Sequence, residues 1–304
     1  MSSCSRLLHE SALELAWSLW AELGVAGWER HHISHAIDPE SLILFTSLLG
    51  AADPRLRDES TDWCIACGRY VSAARLRNLL AGESPAVQAG FAETAATVNA
   101  HSALRWPGAT SPRSFRRTGR SDVADFSRPS LVVLRLRALF GVGARAETVR
   151  AFVADPAAGF TAADLAGAAG YTKRNLAESL DALRMGGLLR AERRRNQLVY
   201  RLTDAEKLMG MLGGMPSSFP RWRSVFHVLE SLLELSDWAE GMKPAARVVE
   251  AVDVLRGLDA DLRAVGERPP GIDVLGPDTW AELTDWALGL ASTWASGSME
   301  GGSP

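Results

Sequence analysis

The sequence predicts a mainly α protein in which a central unit of two short helices and a small β-hairpin is flanked by helical N- and C-terminal domains. Three observations carry this. Apolar residues recur at helical spacings of three and four through most of the chain, as in Leu176, Leu180 and Leu183. Near the middle the spacing falls to two, at Leu198, Tyr200 and Leu202, which is the period of a strand. Composition then breaks the chain where Pro, Gly, Ser and Arg gather between Trp106-Pro107 and Arg128-Pro129, and again at Gly213-Gly214-Met215-Pro216. The boundaries that follow are a helical N-terminal domain at 1–106, a basic linker at 107–129, the central unit at 130–212 and a helical C-terminal domain at 213–304.

The bulk numbers narrow the class of protein. At 304 residues, 47% hydrophobic and 23% charged, the chain has the composition of a globular protein with room for two or three cores. Three cysteines, an odd number, argue against a disulfide framework and fit a reducing cytoplasm. No charged leader precedes an apolar stretch and no apolar run is long enough to span a bilayer, so the expectation is a cytoplasmic protein without a membrane partner. Net charge is only -3, but it is sorted along the chain. Between Tyr171 and Arg201 eight Lys or Arg stand against three Asp or Glu, whereas from Leu202 to Pro304 eight stand against sixteen. That asymmetry suits a module facing a polyanion joined to an acidic body, although acidic exposed helix faces are common in their own right.

Taken in order, Ser11 to Leu23 is helical, with Leu13, Trp17, Trp20 and Leu23 on related faces. Trp28, His31, His32 and His35 form a short polar stretch, and Asp38-Pro39 reads as a boundary or a helix start. Ser41 to Leu49 is apolar and fits either a strand or a helix. Asp62 to Leu80 faintly repeats Arg150 to Ala169: Tyr70-Val71-Ser72-Ala73 stands beside Gly159-Phe160-Thr161-Ala162, each opening an Ala-rich helix. The earlier copy continues through Gly82, Ser84 and Pro85 into a run with Val87, Phe91 and Val98. Its second helix carries Gln88, Glu93, Thr94 and Thr97 but no Lys or Arg, so the repeat, if it is one, is structural. In the linker, Arg113, Arg116, Arg117 and Arg120 could follow a phosphate backbone, or could belong to a solvated connector. Leu131 to Phe140 and Ala146 to Val153 are two further helices. Gly141-Val142-Gly143 between them is not a dinucleotide fingerprint, having neither strand nor acidic ribose partner.

The central stretch, Phe160 to Leu202, is the most informative. Thr161 and Asp164 have capping-box spacing, so a helix starts there, with Leu165 and Ala169 on its buried side. Ala166, Ala168 and Ala169 are small enough for a second helix to approach closely. Gly170 permits a tight turn, Thr172 is a second N-cap, and Gly186-Gly187 ends the helix it opens. Leu188 to Glu192 pairs with the alternating run around Tyr200, which puts Arg193, Arg194, Arg195 and Asn196 at a hairpin tip. In that order, the segment resembles the winged helix-turn-helix of bacterial transcription regulators, broadly the ArsR- and MarR-like group. The resemblance implies a fold with a β-hairpin wing, cytoplasmic binding of double-stranded DNA, and a homodimer, here through the helical domains.

The DNA-binding candidates are Thr172, Lys173, Arg174, Asn175 and Glu178 on the second helix, with Arg193, Arg194, Arg195 and Asn196 in the wing. With the leucines facing the core, Arg174 and Glu178 point outward; an Arg can pair with guanine and an Asn with adenine in the major groove. The wing arginines would lie along backbone or minor groove. Glu178 and Asp181 resist this reading, being acidic on the exposed side. The alternative is a non-catalytic winged-helix adaptor, an antitoxin-like partner of another protein. Cys64 and Cys67, at CxxC spacing with His31, His32 and His35 nearby in sequence, are the metal or redox candidates, against the plainer reading of core packing. No GxSxG, Walker A or HExxH motif is present, so no catalytic residue and no cofactor are predicted. After the Gly213 break, Trp222, Val225, Phe226, Leu229, Leu232 and Leu233 trace one helix, and Val248, Val252, Leu255 and Leu262 another. Pro269-Pro270-Gly271 and Gly276-Pro277 precede a last helix opened by Asp278, with Trp280, Leu283, Leu290 and Trp294; Ser296 to Pro304 reads as a frayed tail. These stripes serve dimerisation or sensing, or else bury each other.

Overall fold

The computed structural model describes residues 3–121, 124–270 and 278–299, and within them the side chain of Ala168 is not described. The breaks read at Gly271 and Gly276-Pro277, and the tail from residue 300, lie outside the described residues. Fourteen α-helices, two single-turn 3-10 helices and one two-stranded antiparallel sheet make up the regular structure of the described residues, which are mainly helical.

Five helices open the chain: α1 (Ser3–Leu23), α2 (Pro39–Leu49), α3 (Pro54–Cys67), α4 (Ala73–Leu80) and α5 (Pro85–His101). The segment left open between strand and helix is helical because Asp38 caps it. The Asp38 carboxylate accepts from the Ser41 amide, and Pro39 occupies the first turn, where its missing N–H costs nothing. Asp53 and Ser84 cap α3 and α5 in the same way, each ahead of a proline. The central unit comprises α6 (Val132–Phe140), α7 (Ala144–Ala154), α8 (Ala162–Ala169), α9 (Lys173–Met185), β1 (Leu189–Arg194), β2 (Gln197–Leu202) and α10 (Ala205–Leu212). The chain closes with α11 (Trp222–Ala239), α12 (Pro244–Gly257), α13 (Asp259–Val265) and α14 (Thr279–Ala295).

Apolar burial divides these elements into two cores. One gathers α6 to α10 with the hairpin; the other joins the N-terminal helices to the C-terminal ones. The flanking segments, expected as separate domains, therefore share a single core. Helix α1 lies along α14 and α11, and α2 packs between α5 and α11. Phe45 stacks on Phe226 with ring centroids 4.4 Å apart, Trp222 donates its indole N–H to the Ala36 carbonyl at 2.7 Å, and His32 lies 2.8 Å from the Trp294 carbonyl. The stripe of α11 predicted for dimerisation or sensing is buried here, from Trp222 through Leu233. Periodicity announces that a face is covered; it does not say by what.

The linker also differs from expectation. Between 107 and 121 it runs as a strap against α3 instead of as a free arm. The Arg113 side chain, 7% exposed, pairs with Asp58 at 2.8 Å and donates to the Thr61 hydroxyl at 2.9 Å. The Thr118 hydroxyl donates to Asp62 at 2.9 Å, and Phe115 and Phe126 pack on the larger core. Acidic residues on α3 thus take up part of the basic charge, leaving Arg116 and Arg120 exposed. In the stretch read as a faint repeat, α5 buries Val87, Phe91 and Val98, and packs so closely on α2 at Gly90 that a Cβ there would strike the Ser47 carbonyl.

At the seam between the two cores lies a buried ionic cluster. Glu40, fully buried on α2, accepts from Arg75 at 2.7 Å and from Arg137 at 2.8 and 2.7 Å. Arg137 also reaches Glu147 at 2.8 Å, and Arg75 grips Asp38 through two nitrogens. Burial alone would raise the Glu147 carboxyl, but Arg150, Arg137 and Arg75 overrule it and hold the group at about 2. Asp38 is likewise held well below the carboxylate range by Arg75 against its burial.

Candidate nucleic-acid interface

The local chemistry of α8 and α9 follows from three residues. The Thr161 hydroxyl accepts from the Asp164 amide while the Asp164 carboxylate accepts from the Thr161 amide at 2.7 Å, completing a capping box. Gly170 ends α8 with φ of +67°, the left-handed conformation a side chain would disfavour. Thr172 then caps α9, its hydroxyl accepting from the Asn175 amide at 3.2 Å. Leu176, Leu180 and Leu183 bury one face of α9 against the smaller core. That leaves Thr172, Lys173, Arg174, Asn175 and Glu178 exposed together on the opposite side.

The acids that resisted a polyanion partner are paired. Glu178 accepts from Arg174 at 3.0 Å, and Asp181 from Arg184 at 2.8 Å, both on the same exposed face. The pairing is double-edged. It neutralises the carboxylates, and it also engages the Arg174 guanidinium that was expected to be free for a base. Asn175 accepts the Thr172 hydroxyl at 2.5 Å through its carbonyl, so its amide N–H groups are its remaining donors.

The hairpin corrects the expected tip. β1 and β2 pair from Leu189 with Leu202 through to Arg194 with Gln197, so the turn is Arg195-Asn196 alone, and Arg193 and Arg194 belong to the strand. Arg195 has φ of +53°, unique among the described residues other than glycine. Because successive strand residues face opposite sides, the three arginines are divided. Arg193 stands opposite Leu198, on the face that carries Leu189 and Tyr200 inward; Arg190 and Arg194 occupy the other face, with Arg201 directly across from Arg190. Arg190 was missed because its run of charge starts three residues later in the sequence; alternation from Leu189 would have found it. Arg201 gives one nitrogen to the Ala157 carbonyl at 2.6 Å. The sheet is extended by a bridge in which Phe160 and Tyr200 exchange amide bonds of 3.0 and 2.9 Å, so the strand residue before α8 is tied to the hairpin after α9.

A set of contacts unseen in the sequence holds this unit from behind. Arg75 of α4 donates to the Ala169 carbonyl at 3.0 Å, Asn78 to the Gly170 carbonyl at 3.0 Å, and the Ser72 and Tyr171 hydroxyls meet at 2.6 Å. The tight turn between α8 and α9 is thereby fixed to the body.

The metal candidates do not assemble. Cys64 and Cys67 are buried in the larger core at 1% exposure each, where burial pushes the Cys64 thiol well up. His32 instead bonds Ser18 and the Trp294 carbonyl, and His35 packs edge-on against it. Among the described residues no group of three or more His, Cys, Asp or Glu is placed to hold a metal ion, and no described helix is long and apolar enough to cross a membrane. No family model matches the chain, and neither a curated protein nor a solved structure matches it.

Proposed function

We propose that the chain is a DNA-binding transcriptional regulator of the winged helix-turn-helix class, acting in the cytoplasm on double-stranded DNA without catalysis. One observation carries the reading: a capped helix, a left-handed glycine turn, a second capped helix with its polar face open, and an arginine-rich hairpin follow one another in a single unit. The charge between Tyr171 and Arg201 supports it, because phosphate neutralisation supplies most of the affinity of such modules. In this reading Lys173, Asn175 and Thr172 meet the duplex at the first turn of α9, and Arg190, Arg194 and Arg195 follow the backbone from the hairpin. A homodimer on paired half-sites belongs to the same proposal. It would need a surface other than the buried stripe of α11, and light scattering of the purified protein tests it.

The adaptor reading has its own observation. Met185 at the end of α9 is 74% exposed and Leu198 on β2 is 49% exposed, apolar groups that suit a protein partner better than a phosphate backbone. Fluorescence anisotropy with a pool of random duplexes, read across a salt series, separates the two. A steep loss of affinity with salt is expected of the regulator. Failure to bind any duplex at low salt ends that reading and leaves the adaptor.

A further inference from the structure

A cleft of about 660 Å3 opens at the seam, where α7 and α8 of the central unit face the first turns of α11 and part of α13. Its size falls in the range of small-molecule sites, roughly 300–1,000 Å3. Five cationic side chains line it, and their partners decide its chemistry. Arg75 is saturated by Asp38, Glu40 and the Ala169 carbonyl. Arg223 leans on Glu83 at 3.3 Å, and His227 sits between Glu83 at 3.0 Å and Asp261 at 3.5 Å. The lining acids are equally engaged: Asp38 by Arg75, Asp261 by His227, Asp164 by the amide of its capping box.

Arg223 keeps one terminal nitrogen, Nη1, and two further guanidiniums have more to offer. Arg221 is exposed, and its side chain has no ion pair or hydrogen bond among the described residues. Arg150 gives only its Nε, to Glu147 at 2.8 Å, and keeps both terminal nitrogens. A small hollow bounded by Arg150, Phe219, Pro220 and Trp222 places Arg150 beside the residues that flank Arg221. Phe160 and Phe219, both half-buried, supply flat apolar wall in the same cleft.

From this arrangement we infer that the cleft binds a nucleoside monophosphate, the phosphate held by Arg221 and Arg150 and the base lying against Phe160 and Phe219. A phosphate monoester carries about -1.5 to -2 at neutral pH, which two guanidinium forks match; a lone carboxylate would leave one uncompensated. The ligand would touch α8 and the body at once. Its effect on duplex affinity rests on the DNA reading above, but its binding does not.

Titration calorimetry of the full chain without DNA, against AMP, GMP, CMP and UMP in turn, tests the site. At least one is expected to bind with Kd of about 1 mM or tighter, with adenosine and inorganic phosphate each weaker by roughly tenfold. Arg221→Ala, at an exposed position, should weaken that binding about tenfold, and Ala264→Trp, which puts a large ring into the cleft from α13, should abolish it with the melting temperature retained. Four nucleotides that give no heat overturn the proposal. So does adenosine or inorganic phosphate binding as tightly as the nucleotide, or Arg221→Ala binding like the parent chain. Because DNA is absent, a failure here is distinct from a failure to bind duplex.

Discussion

At the scale of single residues, the seam is held by charges that have no water to fall back on. Arg137 is 1% exposed and faces Glu40 and Glu147, both equally buried, so the three are tolerable only together. Removing the cation strands two carboxylates. Arg137→Ala is expected to cost about 3–5 kcal/mol in urea unfolding, whereas an exposed arginine such as Arg116 changed the same way should move the midpoint hardly at all. A loss below about 1 kcal/mol, the size of an exposed pair, would mean the cluster is solvated. The cysteines give a second check at this scale. Cys64 and Cys67 should resist alkylation in the native protein and react only on unfolding, since burial holds the Cys64 thiol protonated and out of reach. Rapid native modification would reopen the redox reading.

Elements show how much the sequence makes legible and where it stops. The stretch from Thr161 to Leu202 was readable because each of its signals is local: a hydroxyl three residues before an acid, a glycine between helices, a period that changes from helical to alternating. Helix α2 was ambiguous because it is covered on every side, so its nine buried residues show no periodicity to read. The strap across α3 was illegible for a different reason. Arg113 and Asp58 are far apart in sequence, and nothing in a Pro- and Arg-rich run says that its charge will find an acid. The division of the hairpin arginines gives this scale its prediction. With Arg190 and Arg194 on one face and Arg193 on the other, each phosphate contact removed should lower the salt slope by about 0.9. Arg194→Ala is expected to flatten the dependence more than Arg193→Ala, each being a single change, and equal effects of the two would place both faces against DNA or neither. Thr172→Ala, which removes the cap of α9, should cost about 1 kcal/mol of stability as well.

For the whole molecule, two histidines with opposite shifts set a pH window for folding. His32 is fully buried against Trp222 and the end of α14, and burial lowers it from 6.5 to about 4. The unfolded chain takes up a proton below 6.5 that the folded chain refuses, so stability is lost as pH falls from about 6.5 toward 4. His227 works in the other direction. Hydrogen bonds to Asp261 and Glu83 raise it to about 9, so its contribution is complete below 6.5 and disappears as pH rises toward 9. The two together place the maximum near the ordinary histidine value of about 6.5. The histidines join chain segments distant in sequence, His32 tying the N-terminal stretch to α14 and His227 tying α11 to α13 and to the loop after α4. Urea midpoints measured between pH 4 and 9 should therefore trace a dome. His227→Gln should flatten the alkaline limb and leave the acid one, while His32→Gln, which keeps the size and a polar group but cannot titrate, should reduce the limb between 6.5 and 4 and leave the share of His35, which burial also lowers. The deeper fall below pH 4 survives both changes, because there the Asp38 and Glu147 carboxylates gain protons and release the arginines of the seam. A rise that continues from pH 6.5 to 9 would show that His227 does not hold the environment assigned to it, and a flat profile between pH 4 and 6.5 would show the same of His32.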